Sequence, residues 1–172
     1  MIKINKKPNY WTKATRHLSD KDDILAKLIE SHGHNNFLMR KNSSFRSFFN
    51  IIIGQQISIA SANAIESRIR KELKRITPKI ILETNFKIFR KCGLSHRKSE
   101  YLKGIAEKIL RNPKYISNLK KLNDETIIEE LCKIRGIGKW SAEMFLIFDL
   151  NRPNILPLQD ICHLLKEHIR SS

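Results

Sequence analysis

Two glycines spaced two residues apart, Gly136 and Gly138, form the stretch best suited to binding an anion. They lie in a turn between a helical run that ends near Lys133 and a second run that begins near Trp140. Glycine tolerates positive φ without a steric clash, and we expect both glycines to use that freedom. Unpaired N–H groups and the positive end of the helix dipole at the start of the second run favour a phosphate. The turn therefore predicts a phosphate site.

An ordinary helix–helix turn with a glycine cap has the same pattern, so that interpretation stays open on this stretch alone. The context of the two glycines argues against a nucleotide-binding loop. No strand precedes the two glycines, and neither a third glycine nor a Gly-Lys-Ser/Thr sequence follows them.

Asp160 is a carboxylate that the sequence places at the start of a last helix, residues 161–169. Pro153 and Pro157 force an extended path before it, so we expect the chain to turn back across the other helices. The N–H groups and dipole of a helix N-terminus keep a carboxylate there ionised. Because aspartate is also a common helix cap, a purely structural role stays open for this residue on these grounds.

The charge balance favours a polyanionic partner. Among 172 residues, 33 are Lys or Arg and 17 are Asp or Glu, which gives a formal net charge of +16. Nucleic acid is the first candidate and an acidic membrane surface the second. A genome rich in A and T would also enrich lysine, so the charge alone does not decide. The sequence shows no basic amphipathic stripe with exposed aromatics, which argues against the membrane.

Cysteine spacing excludes two kinds of metal site. Cys92, Cys132 and Cys162 form no Cys-x2-Cys pair, so neither a zinc site nor an iron–sulfur loop is indicated. We expect each to be a small buried thiol in a reducing compartment. The pair His32 and His34 lacks further ligands at metal-binding spacing, so we expect a solvated turn there.

The elements that position these residues are nearly all helices, because apolar residues recur every three or four positions and alternation is scarce. Ser19 or Asp20 is expected to cap the first of them, Ser43 and Ser44, Ser58 and Ser95 to cap three others, and Gly93 to end another. The apolar residues expected to face inward include Leu18, Ile24, Leu25, Leu28, Ile29 and Ile59. Residues 1–13 are expected to be an extended basic lead-in, and residues 37–40 a short strand or linker. The predicted helices span residues 17–31, 43–54, 58–74, 85–91, 96–110, 123–133, 140–148 and 161–169.

Four stretches in a fixed order carry a resemblance to a known family. They are Gly-Gln-Gln-Ile-Ser from 54, Cys-Gly-Leu-Ser-His-Arg-Lys-Ser-Glu-Tyr-Leu from 92, the glycine turn from 131, and Leu-Pro-Leu-Gln-Asp from 156. Together they resemble the helix-hairpin-helix (HhH-GPD) DNA glycosylase superfamily. The likeness runs from about residue 18 to 165 and is greatest for the 3-methyladenine DNA glycosylase II branch.

The resemblance implies an all-α fold, a two-lobed helical bundle with a helix-hairpin-helix motif and a cleft between the lobes. A single glycosylase domain would span residues 1–172. Lobe A would hold about 1–41 plus 152–172, and lobe B about 42–151. We expect Asp160, Gln56 and Trp140 at the cleft, and a C-terminal part shorter than in other members. Stacking aromatics stay open among Tyr10, Trp11, Phe45 and Trp140.

The resemblance also implies catalytic roles. Asp160 stands at the position of the catalytic aspartate. Gln55 and Gln56 stand in the loop whose side chain wedges into the space left by the flipped base, with Gln56 at the wedge position itself. Trp140 takes the place of the Schiff-base lysine of lyase-type relatives, and Lys139 is one residue away from it. The resemblance therefore predicts a monofunctional enzyme without a lyase lysine.

The remaining implied contacts concern DNA and the base pocket. Trp140 and Ser58 are expected to line the pocket. Backbone phosphates are expected at the hairpin residues, which are Arg135, Gly136, Ile137, Gly138, Lys139 and Ser141. No cofactor and no metal are expected, apart from a monovalent cation that hairpin main-chain carbonyls can hold in such proteins.

The predicted function is monofunctional removal of an alkylated, 3-methyladenine-type base from duplex DNA, leaving an abasic site in base excision repair. Two alternatives stay open. One is a catalytically weak or inactive helix-hairpin-helix DNA-binding protein, and the other is a glycosylase of this superfamily for another damaged or mismatched base. The expected partner is double-stranded DNA containing damaged bases, bound by a monomer away from membranes. The expected location is the bacterial cytoplasm, at the nucleoid, or a eukaryotic nucleus.

Overall fold

The structure is a computed structural model that describes residues 7–33 and 43–158. These residues hold ten α-helices and no strand, as the periodicity predicted. The chain divides into two compact units, one up to residue 41 and the other from residue 42 onward. The predicted assignment of residues 152–172 to the first lobe stays a prediction, because most of that stretch lies outside the described residues.

The described part of the first unit contains two short helices, α1 (Trp11–Lys21) and α2 (Asp23–His32). One helix over 17–31 was expected, with a cap at Ser19 or Asp20, and both expectations were wrong. Asp22 interrupts the run because its backbone is extended and its carboxylate accepts hydrogen bonds from the N–H groups of Ile24 and Leu25 at 2.8 and 2.9 Å. The predicted lead-in is also shorter than expected, since α1 already begins at Trp11.

The expected apolar face of the first unit is largely open to solvent. Ile24 is 72% exposed, and Leu18, Leu25 and Leu28 are between 36% and 49% exposed. Two helices of 11 and 10 residues offer each other little surface to cover. The predicted segment 37–40 and the predicted helix 161–169 lie outside the described residues.

The second unit carries the remaining helices and a continuous apolar core. Its helices are α3 (Ser44–Gly54), α4 (Ile59–Leu73), α5 (Pro78–Glu83), α6 (Phe86–Lys91), α7 (His96–Arg111), α8 (Tyr115–Leu119), α9 (Asp124–Cys132) and α10 (Lys139–Phe148). The sequence did not predict α5 and α8, because helices of 6 and 5 residues are too short to show a helical period. Ile59, expected to face inward, is 82% exposed at the first position of α4.

The predicted caps at Ser43, Ser58 and Ser95 are confirmed, whereas the hydroxyl of Ser44 donates a hydrogen bond to Asp149 and does not cap α3. The hydroxyl groups of Ser43, Ser58 and Ser95 accept hydrogen bonds from the N–H groups of the first turns of α3, α4 and α7. Gly93 has a φ of +90° and ends the α6 segment, as its position predicted. No helix among the described residues is long and apolar enough to cross a membrane.

The buried helix α3 pairs with α10 in antiparallel fashion. In the middle of the pair, the rings of Phe48 and Phe145 stack with centroids 4.2 Å apart and an interplanar angle of 7°. At one end, the buried carboxylate of Asp149 accepts hydrogen bonds from the hydroxyl groups of Ser44 and Ser47 at 3.0 and 2.7 Å. The ammonium group of Lys120 lies 4.0 Å from the same carboxylate. These contacts fix how the two helices align.

Asp149→Asn is expected to destabilise the protein without changing its fold. The amide keeps the size of the side chain but loses the charge that strengthens the two serine hydrogen bonds, at a cost of roughly 1.5–3 kcal/mol. Urea unfolding followed by circular dichroism measures the change. Glu83→Gln, at an exposed carboxylate, is the matched control and should change the free energy of unfolding by less than about 0.5 kcal/mol. Equal effects of the two substitutions would contradict this prediction.

Candidate nucleic-acid interface

The hairpin is the turn from Lys133 to Gly138 between α9 and α10. Its backbone closes on itself through a hydrogen bond from the N–H group of Ile137 to the carbonyl oxygen of Ile134, 3.0 Å long. The side chains of both residues are buried, at 8% and 3% exposed for Ile134 and Ile137, respectively. The apolar side chains thus anchor the turn in the core, and the remaining backbone of the turn lies at the surface.

The backbone conformation and the packing at position 136 require a glycine. Its φ is +90°, a conformation that residues with a side chain rarely adopt. A Cβ atom built on it would also lie 2.1 to 2.6 Å from ring atoms of Tyr101 on α7. The hairpin backbone therefore packs directly on an aromatic ring, and only glycine allows that approach.

Packing within the described protein does not require a glycine at position 138. Its φ of −93° and ψ of 178° are accessible to any residue, so the expectation of positive φ was wrong here. A Cβ atom at this position would meet no atom within 4 Å, because the space beside it is open. Gly138 is the N-cap of α10 and has no side chain with which to cap it. The other helices of nine or more residues in the described part of the second unit have side-chain caps, from Ser43, Ser58, Ser95 and Asn123.

The charged residues of the hairpin lie at the surface. The Arg135 side chain is 76% exposed, and its guanidinium lies 3.5 Å from the carboxylate of Glu100. Lys139 is exposed at the first position of α10, and Trp140 is half-buried at the second. An exposed N-terminus flanked by two cations suits a phosphate.

Ser141 is buried and 3% exposed. Its hydroxyl accepts a hydrogen bond from Gln55, so the Ser141 side chain supports the hairpin from inside the protein. Only the main-chain N–H of Ser141 lies among the N–H groups of the first turn of α10, which have no partner within the helix. The predicted hairpin residues therefore fall into two groups, according to whether their side chains are buried or exposed. Ile137 and Ser141 have inward side chains, and Arg135 and Lys139 have exposed ones. Their contacts with DNA stay predictions.

The predicted wedge loop, residues 54–57, lies against the hairpin. The side-chain Nε2 of Gln55 donates hydrogen bonds of 2.9 Å each to the carbonyl oxygen of Gly136 and the hydroxyl of Ser141. Gln56 is exposed and has a φ of +57°. The structure therefore separates two residues that the sequence grouped together, because Gln55 is occupied by the hairpin and Gln56 faces solvent. Ser58, predicted in the pocket, is exposed and caps α4.

Asp160, the predicted catalytic residue, lies outside the described residues. The predicted cleft that it would share with Gln56 and Trp140 therefore stays a prediction. Among the aromatics left open for base stacking, Phe45 is 5% exposed and belongs to the core.

Sequence reasoning missed two residues of α7 that shape this region. Tyr101 supports Gly136, and the ammonium group of Lys98 donates hydrogen bonds of 2.7 Å each to the carbonyl oxygens of Ile53 and Gln55. Burial lowers the pKa of Lys98 from its ordinary value. Both lie in the second of the four stretches, but helical periodicity gives no sign that the first turns of α7 contact segments more than 30 residues away in the chain, earlier for Lys98 and later for Tyr101.

Metal binding by side chains has no support in the part of the chain that the structure describes, which holds no cluster of three His, Cys, Asp or Glu residues. Two hairpin carbonyls, those of Ile134 and Gly136, already accept hydrogen bonds. The monovalent cation on the hairpin backbone stays a prediction.

Comparison with known families decides the assignment. Residues 49–163 match the HhH-GPD superfamily, described as base excision DNA repair proteins. The chain belongs to this superfamily. The matched range includes the wedge loop, the hairpin and position 160, so all three predicted parts of the site fall inside the HhH-GPD region.

Individual relatives of this HhH-GPD chain agree with the assignment. It is 36% identical over 157 residues to DNA-3-methyladenine glycosylase 1 of Schizosaccharomyces pombe, covering 87% of this chain and 68% of that protein. It is 30% identical to the alkylbase DNA glycosidase-like protein mag2 of the same organism, covering 90% of this chain and 75% of that one. The structure of an S. pombe 3-methyladenine DNA glycosylase in complex with abasic DNA superposes with a TM-score of 0.67 at 34% identity, covering 84% and 73% of the two chains.

The two hairpin glycines should respond differently to alanine. Gly136→Ala is expected to lower the free energy of unfolding by about 2–4 kcal/mol, because it combines backbone strain with overlap on Tyr101. Gly138→Ala is expected to cost under about 1 kcal/mol, because its backbone is already allowed and only the cap is weakened. Gly138→Ala should also reduce DNA affinity by about tenfold, since the added methyl group lies in the open space beside the N–H groups of α10.

Thermal unfolding and fluorescence anisotropy with a labelled duplex measure both properties. Gly104→Ala, at an exposed position inside α7 with open space around it, is the control and should stabilise the protein without changing DNA affinity. Wild-type DNA affinity in Gly138→Ala would refute the role of the hairpin N–H groups.

Proposed function

We propose that this protein is a monofunctional DNA glycosylase that flips a 3-methyladenine-type base out of duplex DNA and hydrolyses its N-glycosidic bond. The observation that carries the proposal is the exposed N-terminus of α10, left without a side-chain cap behind a glycine turn that the core holds in place, in a chain of the HhH-GPD superfamily. The names of the two S. pombe relatives support alkylated bases as the substrate class.

A base inside a duplex cannot be attacked, so the enzyme must first extrude it at a cost of a few kcal/mol. Contacts with the DNA backbone offset that cost. The hairpin and a surplus of positive charge, formally +16, supply such contacts. Gln56 is exposed on a loop attached to the hairpin, where its side chain can enter the space left by the base.

Asp160 is the proposed catalytic residue. Breaking the glycosidic bond develops positive charge on the sugar, as in glycoside hydrolysis, and a carboxylate stabilises that charge. The same group can orient or deprotonate the attacking water. An alkylated purine already carries positive charge and leaves without a strong general acid, so one ionised aspartate is sufficient. The proposed partner is accordingly duplex DNA with alkylated bases, bound by a monomer.

Asp160→Asn is expected to retain DNA affinity and to lose base release by at least about 100-fold, the size of effect seen when one stabilising group is removed from a transition state. The measurement is single-turnover release of 3-methyladenine from methylated duplex DNA. Asp22→Asn is the matched control, because it makes the same chemical change at a helix cap where asparagine serves equally well. Undiminished release by Asp160→Asn would remove this residue from the mechanism.

The proposal of a monofunctional reaction rests on residues 139 and 140. A lyase needs an amine that attacks the sugar carbon, and the expected position for it holds Trp140, with Lys139 at the preceding position of the helix. Successive positions on a helix point in directions about 100° apart, so Lys139 does not replace the missing amine. Borohydride added during turnover should therefore trap no covalent protein–DNA adduct, and electrophoresis under denaturing conditions detects such an adduct. A trapped adduct would contradict the proposal; its loss in Lys139→Met would identify Lys139 as the amine, and its persistence would identify another amine.

A second candidate function is DNA binding with little or no catalysis. The relative mag2 favours it, because that protein is described only as glycosidase-like and is 30% identical to this chain. The release assay separates the two candidates. Tight binding of abasic DNA by the wild type, without release of any methylated, oxidised or mismatched base, would establish the binding protein.

A further inference from the structure

The wedge loop, residues 54–57, is held in an unfavourable conformation. Gln56 has a φ of +57° although it is not a glycine, and its side chain is exposed. Residues with a Cβ atom rarely adopt this conformation unless the surrounding structure determines it. The contacts that hold the loop are therefore as important as the residue at its tip.

Lys98 holds the main chain on the N-terminal side of Gln56. Its ammonium group donates hydrogen bonds of 2.7 Å each to the carbonyl oxygens of Ile53 and Gln55. Carbonyl groups at the C-terminal end of a helix lack partners within the helix, and a cation there also complements the dipole. One side chain thus ends α3 and fixes the first half of the loop.

Gln55 extends this contact to the hairpin. Its carbonyl oxygen accepts from Lys98, and its side-chain Nε2 donates to the carbonyl oxygen of Gly136 and to the hydroxyl of Ser141. Gln55, the residue before Gln56, therefore forms hydrogen bonds with α7 on one side and with the hairpin and the start of α10 on the other. Three segments far apart in the chain meet at this one residue, through its main-chain carbonyl and its side chain.

We propose that Lys98 and Gln55 are positioning residues that hold the exposed side chain of Gln56 at a fixed distance from the phosphate bound at the hairpin. This inference rests on the proposed function, because it concerns how a glycosylase couples binding of the DNA backbone to flipping of the base. Without the link, the hairpin still binds DNA, but the wedge enters the base stack less often. Lys98 and Gln55 thus act through Gln56 and the hairpin, and neither touches the reacting atoms.

Lys98→Met and Gln55→Met test the link, since methionine keeps the length of each side chain and removes its donors. Lys103→Met is the matched control. Lys103 lies on the same helix, donates a hydrogen bond of 2.6 Å to the carbonyl oxygen of Leu82 near the end of α5, and has a pKa that burial likewise lowers. It makes the same kind of contact as Lys98 with a different helix end, so it reports the structural cost alone.

Two measurements separate positioning from stability. The first is the fluorescence of 2-aminopurine beside an abasic analogue in duplex DNA, which reports unstacking without any base release. The second is single-turnover release of 3-methyladenine at saturating protein. Lys98→Met and Gln55→Met are expected to lose most of the fluorescence change and about tenfold in release rate, because small displacements of positioned groups cost rates of this order. Their dissociation constants for DNA should change less than about threefold, and Lys103→Met should leave both readouts unchanged.

The double variant Lys98→Met/Gln55→Met tests whether the two residues act together. If both residues act through one loop, the loss in Lys98→Met/Gln55→Met equals that of the worse single variant and is not the product of the two. If Lys98→Met does not fold, Ser141→Ala replaces it, since alanine suits a helix and removes one of the two acceptors of Gln55. A smaller loss, about threefold, is then expected.

Each outcome has one meaning. Fluorescence and release in Lys98→Met and Gln55→Met equal to those of Lys103→Met would overturn the inference and leave the proposed function intact. Absence of release by the wild type would overturn the proposed function, and the fluorescence signal would still decide whether Lys98 and Gln55 position the wedge. Multiplicative losses in the double variant would show that the two residues act independently and would overturn the inference.

Discussion

The antiparallel contact between α3 and α10 is the interaction on which the rest of the second unit depends. Stacked rings of Phe48 and Phe145 set the spacing of the two helices at the centre of the core. Hydrogen bonds from Ser44 and Ser47 to Asp149 connect the start of α3 to the end of α10. At the opposite end, Gln55 connects the loop after α3 to the start of α10. The two helices that carry the wedge loop and the hairpin are thereby fixed at both ends.

The apolar and the polar contacts of this pair have different effects. Burial of apolar side chains supplies most of the favourable free energy of folding, but it is not directional and would allow the helices to slide. Hydrogen bonds to a buried carboxylate and to the hairpin carbonyl of Gly136 require one alignment, because shifting either helix would leave buried polar groups without partners. Polar contacts at the ends thus determine the relative position of the two functional segments.

Much of this arrangement followed from the sequence, and the part that did not has a physical reason. Capping serines, the αL glycine at 93 and the long amphipathic helices are local features, and local residues predicted them. Asp22 was missed as the break in the first helix because a stretch of apolar periodicity continues across it. Lys98, Tyr101 and the hydrogen bonds of Gln55 could not be predicted, since each depends on a partner more than 30 residues away.

The two hairpin glycines show how much a sequence pattern leaves undetermined. Both were expected to have positive φ, yet only Gly136 does, and the ring of Tyr101 explains why no side chain fits there. Gly138 has an ordinary backbone conformation and open space around it, so nothing within the described protein requires a glycine at that position. A helix N-terminus whose N-cap carries no side chain leaves its N–H groups open to an anion, and together with the exposed Lys139 this is the physical ground on which we propose that this surface contacts the DNA backbone.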